Sequence, residues 1–269
     1  MIKNLIDCHA HVDFKFDLNK LKDDDPFKKL AKTFNTKKII DNAIKNNVVA
    51  IINNGTNPET NKNCLKLSKE FPIIKSALGM YPTDGLEFSE TEIDKEIEFI
   101  KKNKKNIIAI GEIGLDNYLI DMNKKQKKKM NDNFLKMLEL ASSIKKPVII
   151  HSRKAEKEVI DILSSFDIKA QMHCYGGKLK LAKQAIEQGI IFSIPPNIVK
   201  NQAFEKLVEI TPINQLLTET DTPFLSPHKD KLNEPSNVIY SIKKIAEIKD
   251  LDEQETANLI FSNYQNIFL

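Results

Sequence analysis

Four of the five histidines stand at or near the end of a short apolar run. His9 and His11 end NLIDCHAH (4–11), His151 falls in PVIIHS (147–152) and His173 in KAQMHC (169–174). Two carboxylates are placed in the same way, Glu112 in IIAIGEIG (107–114) and Asp221 in QLLTETD (215–221). Imidazole with carboxylate is the donor set of borderline divalent ions such as Zn²⁺ or Mn²⁺, and carboxylates extend it towards Mg²⁺. His9 and His11 are two apart, so on a strand their rings share a side. A buried strand end does not ordinarily carry two imidazoles, because each polar nitrogen needs a partner; a cation supplies one.

Six ligands exceed what one tetrahedral ion with an open position requires, and they suit two ions sharing a carboxylate. The sequence order allows His9, His11, Glu112 and Asp221 around one ion. Glu112, His151 and His173 then hold the other, with Glu112 as the bridge. Two such ions stabilise the attacking and leaving oxygens of a hydrolysis and lower the pKa of bound water. Asp221 would orient that water or accept its proton. Taken singly, each residue has a plain structural alternative: a surface HxH pair, a hydrogen-bonded core histidine, a turn carboxylate. All six at strand ends together favour the metal reading.

Those strand ends imply an architecture. Besides the runs above, VVAIINN (48–54), IIKSALG (73–79) and IIFSI (190–194) are short and rich in Ile or Val. Several runs are continuously apolar, as strands buried on both faces of a parallel sheet are. Between them, TEIDKEIEFIKKN (91–103), MNDNFLKMLELASSI (130–144) and KLAKQAIEQG (180–189) carry helical spacing, with Gly189 a stop signal. Asp252 is an N-cap for the final helix, with Glu255 completing a capping box. Eight strands alternating with helices predict a single-domain (β/α)₈ TIM barrel over 1–269, whose active face lies at the strand C-termini. A doubly wound open sheet is the alternative, without a GxGxxG or P-loop motif to support it. The charged segment 14–32 is expected to form a long loop or short helix after strand one.

Composition sets the class. With 41% hydrophobic and 29% charged residues the chain reads as soluble and globular. The net charge of +4 tolerates a polyanion without demanding one. Three cysteines with no CxxC argue against a disulfide framework and for a reducing compartment. Neither a signal peptide nor a membrane span is legible, so a cytoplasmic location is expected. Nothing in the sequence fixes the oligomeric state, and a monomer is the working expectation. Of 41 basic residues only Arg153 is arginine. Guanidinium grips phosphate with a planar fork that lysine lacks, so this exception beside His151 points to an anionic substrate. An Arg–carboxylate clamp on the barrel rim is the structural alternative.

Five blocks, DCHAHVD (7–13), GEIGLD (111–116), IIHSR (149–153), HCYGG (173–177) and ETDTPFLSP (219–227) with NEP (233–235), together resemble the TatD family of metal-dependent deoxyribonucleases. The resemblance implies a TIM barrel of the metallo-dependent hydrolase superfamily, a divalent-metal centre and phosphodiester hydrolysis, often as a 3′→5′ exonuclease. It places the metal ligands on His9, His11, Glu112, His151, His173 and Asp221, with DNA or another phosphoester as substrate. Two positions depart from the family pattern. Tyr81 stands in GMYP where the family often has histidine, and Lys154 follows Arg153 where an acidic residue is common. Both bear on the substrate rather than the metal chemistry.

Two other readings compete with nuclease action. One is an amidohydrolase or esterase, for instance releasing an aminoacyl ester from tRNA; the other is a nucleic-acid-binding barrel without turnover. Strand alternation is expected to turn Cys8 and Cys174 away from the site, and Asp7 to support the histidines on its face. His228 is expected at the surface. KKNKK (101–105) and KKQKKK (124–129) read as solvated helix faces, the second placed to steer a polyanion. No aromatic platform for bases is evident along the chain.

Overall fold

The eight apolar runs become eight parallel strands, hydrogen-bonded in sequence order, in a computed structural model that describes residues 1–20 and 26–269. They are β1 (Leu5–Ala10), β2 (Val48–Asn54), β3 (Ile74–Leu78), β4 (Ala109–Gly114), β5 (Val148–His151), β6 (Ala170–His173), β7 (Ile191–Ile194) and β8 (Leu216–Thr218). Backbone bonds from Asp221 N to His9 O (2.8 Å) and His11 N to Thr222 O (2.9 Å) join the last strand's end to the first. The Thr218 hydroxyl adds a bond to the Ile6 carbonyl. The sheet thus closes nearly completely as a (β/α)₈ barrel, with β1 and the segment after β8 joined by these bonds rather than by a regular ladder.

The surrounding helices are α1 (Pro26–Ala31), α2 (Thr36–Lys45), α3 (Pro58–Glu70), α4 (Glu90–Lys102), α5 (Lys124–Ile144), α6 (Glu156–Leu163), α7 (Leu179–Glu187), α8 (Gln202–Ile210), α9 (Val238–Lys249) and α10 (Glu253–Phe268). Their starts are written in the sequence. Asn57, Ser89 and Asn123 each accept from the third residue of their helix and receive a bond back, satisfying donors that a helix end leaves open. Asp252 caps α10 as expected, accepting from Gln254 and Glu255 N. The expected capping box is not formed, since the Glu255 side chain does not bond back to Asp252; the Thr256 hydroxyl instead donates to the Asp252 carbonyl. Gly189, at φ +76°, follows α7 as the stop its position suggested.

Apart from exposed Val49, the Ile, Leu and Val of the strands are buried against the barrel interior or the helices, each fully buried side chain contributing about 2 kcal/mol. The charged segment after β1 contains a 3₁₀ turn (Leu18–Lys20) and α1, while 21–25 lie outside the described residues. Among the described residues no helix is long and apolar enough to cross a membrane.

Candidate metal centre

The C-terminal ends of the strands surround a cavity of about 910 Å³, and the predicted ligands gather at its floor. His9 ends its approach on β1, fully buried; His11 is one residue past the strand, and Asp221 three residues past β8. His9 Nε2 and His11 Nε2 face each other at 3.2 Å. Asp221 Oδ1 is 3.5 Å from the first and 3.7 Å from the second.

Glu112 stands between two pairs of rings. Its Oε2 lies 3.5 Å from His9 Nε2 and 3.3 Å from His11 Nε2. Its Oε1 lies 3.0 Å from His151 Nδ1 and 2.9 Å from His173 Nε2. One buried carboxylate therefore presents one oxygen to each histidine pair. The rings of His9 and His173, one from each pair, stack at 3.9 Å.

Outer partners fix which nitrogen faces inward. His11 Nδ1 is 3.0 Å from the Asn54 carbonyl, which only accepts, so Nδ1 carries the proton and Nε2 offers its lone pair. His151 is reversed: its Nε2 meets Asp116 Oδ2 at 2.8 Å, leaving Nδ1 for the centre. The Tyr81 hydroxyl donates to the same Asp116 oxygen at 3.2 Å. Burial, then the neighbouring Glu112 charge, raises the Tyr81 pKa, so the phenol stays protonated and keeps its donor. Asn54 and Asp116 were not singled out from sequence; Asp116 was legible only as the last letter of GEIGLD, two residues beyond β4.

The backbone makes room for this. Gly114 pairs with His151 across β4 and β5 and has φ +143°. A Cβ there would come within 1.9 Å of the His151 carbonyl oxygen, so only glycine allows the approach. Asp221 adopts φ +54°, uncommon for a residue with a side chain, and its amide bond to the His9 carbonyl holds it there.

Charge shows what the floor is made for. Burial alone would raise Glu112, but His173, His9 and His11 hold its carboxyl well below the usual range. Burial opposes charge on His11 and His151 too, yet Glu112 with Asp221, and Asp116 with Glu112, raise them to about 9. Burial and the neighbouring His173 lower His9 to about 4. Without a metal, protons on His11 and His151 thus answer the negative charge of Glu112, Asp116 and Asp221. Inward nitrogen and oxygen atoms that gather positive charge in this way fit a divalent cation, which would displace those protons.

Other expectations land differently. Asp7 is buried but touches no imidazole: its carboxyl accepts from the amides of His9 and Thr220, pinning β1 to the segment after β8. Cys8 is buried as expected. Cys174, expected to turn away, lines the cavity, because β6 ends at His173 and Cys174 takes φ +44°, where strand alternation no longer applies. Its amide donates to Glu219 Oε1 at 2.8 Å. Lys154 is exposed and lines a separate depression with Asn117 and Asp161, since φ +57° swings it off the cavity wall. His228 is exposed, 3.2 Å from the Tyr240 hydroxyl.

Arg153 lines the cavity, its guanidinium carbon 3.9 Å from the centre of the Tyr118 ring. No carboxylate among the described residues pairs with it, so the rim clamp considered from sequence is not formed. Stacking holds its plane and leaves its N–H groups for another acceptor.

Fold and site together define a barrel hydrolase that depends on metal. A family model described as TatD related DNase matches residues 6–269, and the chain belongs to that family. The chain is 33% identical, over 98% of its length and 96% of the relative's, to an uncharacterized metal-dependent hydrolase of Methanocaldococcus jannaschii. It is 29% identical to human deoxyribonuclease TATDN3 over 98% and 94%. Among solved structures, the TatD homolog YjjV of Escherichia coli superposes with a TM-score of 0.85 at 23% identity, over 100% and 99% of the two chains.

Proposed function

We propose that the protein is a deoxyribonuclease that hydrolyses the terminal phosphodiester of a DNA 3′ end, with two divalent ions at the cavity floor. The single observation that carries this reading is Glu112, whose two oxygens are each directed at a different histidine pair. His9, His11 and Asp221 with Oε2 would hold one ion, and His151 and His173 with Oε1 the other. Bound there, the ions would supply electrophilic stabilisation of phosphate charge and a lowered pKa for water.

The chain's own groups do the rest. Asp221, at the cavity wall, orients the attacking water and accepts its proton. Arg153 presents donors to the phosphate oxygens, its plane fixed by Tyr118. Tyr81 lines the cavity as a neutral donor and, through Asp116, keeps the His151 ring oriented. The water oxygen bonds to phosphorus, the P–O3′ bond breaks, and the leaving oxygen takes a proton from solvent, releasing a 5′-nucleotide. Human TATDN3, named a deoxyribonuclease, aligns along nearly the whole chain and supports this substrate class.

The test is an assay of purified, metal-analysed protein on 3′- and 5′-labelled DNA, with amide and aminoacyl-ester substrates alongside. The reading predicts about two ions per chain, stepwise shortening from the 3′ end, arrest by chelator and recovery with Mg²⁺, Mn²⁺ or Zn²⁺. Turnover of an amide or aminoacyl ester with DNA left intact would replace it.

A further inference from the structure

The mouth of the cavity has two unlike walls. Strand order places β4 and β5 across the barrel from β8 and β1. On the first side, Arg153 lies over Tyr118, beside exposed Leu119. On the second, Phe14 after β1 and Phe224 after β8 meet edge to face at 5.1 Å, and both line the cavity. These phenyl rings are 36% and 40% exposed, although apolar rings of that size are ordinarily covered. The aromatics come from positions 14, 118 and 224, so no local stretch of sequence shows them as one surface.

We infer that the Phe14–Phe224 wall is a platform on which the unpaired base of a terminal nucleotide stacks while Arg153 opposite holds its phosphate. This rests on the nuclease reading and names the form of its substrate. The charges agree with the division of labour. Asp13 and Asp84 line the β1–β3 side and disfavour a phosphate there but not a neutral base, while Lys15 beside Phe14 is paired with Glu59 at 2.5 Å. The guanidinium is on the other side, where no carboxylate among the described residues pairs with it, although Glu156 also lines that wall. A flat ring stacks on phenyl without regard to which base it belongs to, so the platform recognises single-strandedness rather than sequence. A base still paired in a duplex could not reach it, and a 910 Å³ pocket is of the size that encloses a small molecule, not a double helix.

Two measurements test this. First, in chelator, DNA carrying 2-aminopurine as its 3′-terminal base is titrated with the wild type and with Phe14→Ala, Phe224→Ala and Phe224→Tyr. Fluorescence quenching is expected with the wild type and Phe224→Tyr, and loss of quenching with weaker binding, roughly 5- to 150-fold, for the alanine variants. Second, with metal present, single-stranded 3′ overhangs, blunt duplexes and overhangs ending in an abasic site are compared. The overhang is expected to be cut most efficiently, with the advantage in KM and lost in the alanine variants. If DNA is cut but overhang, blunt and abasic ends are equivalent, or the alanine variants behave as wild type in both assays, the platform is refuted while the nuclease reading stands. If no DNA is cut with any metal and no quenching occurs, both fail. Binding of apolar amino-acid side chains to the same wall, with bases ignored, would also overturn the inference.

Discussion

Arg153 and Tyr118, one from the loop after β5 and one from the loop after β4, form a pair with the guanidinium carbon 3.9 Å from the ring centre, and no carboxylate among the described residues pairs with the arginine. In a chain where every other basic residue is lysine, the exception is thus a guanidinium set over an aromatic ring, with no ion pair among the described residues. Lysine could carry the charge but neither the plane nor the fork.

Arg153→Lys is therefore expected to raise KM for a phosphodiester by about tenfold or more with little loss of stability, since one bidentate contact is replaced by a point charge. Tyr118→Ala should move KM in the same direction by less. Steady-state kinetics with a thermal melt of each variant decides it; an unchanged KM in Arg153→Lys would remove the arginine from substrate binding.

Glu112→Gln is expected to lower the metal content of the protein and to depress hydrolysis by about a thousandfold, the scale lost when a preorganised charge at a reacting centre is removed. Elemental analysis alongside a chelator-controlled assay checks both. Retention of full metal occupancy would show that Glu112 is not a ligand.

Asp116→Asn leaves the His151 ring in place but removes the carboxylate that takes its Nε2 proton. Metal affinity should fall by about 10- to 100-fold, as outer partners of metal-bound histidines typically show. Competition with a metallochromic indicator measures it.

Metal binding should release protons. In the metal-free protein His11 and His151 titrate near 9, so both are charged at neutral pH and must lose a proton to bind an ion. Affinity is expected to rise as pH rises and to level off above about 9, with about two protons released per chain near neutrality. Calorimetry in buffers of different ionisation enthalpy gives that number; no release would contradict the charge state described above.

Gly114→Ala places a methyl group against the His151 carbonyl and a side chain at φ +143°. A loss of about 3 kcal/mol or more is expected, read from denaturant unfolding, because neither strain can relax without parting β4 from β5.

Much of the fold could be read along the chain because burial on two faces forces short, continuously apolar strands, and a capping residue, Asp252, announces the start of the last helix. The ligands could be read because polar residues at the ends of such strands need partners. Errors fell where the backbone leaves regular geometry. Cys174 has positive φ, so alternation from the neighbouring histidine misplaces it. Asp7 was assigned to the imidazoles because it shares their face, yet it bonds the backbone of Thr220, more than two hundred residues away.

By itself the sequence determined the alternation of strands and helices and the placing of imidazoles and carboxylates at strand ends, since both follow from local burial. Tertiary structure alone decided that the Glu112 oxygens face separate histidine pairs, that Arg153 rests on Tyr118, and that Phe14 meets Phe224. Those relationships depend on the angle at which the barrel closes and on loop conformations, and neither is carried by the period of any single segment.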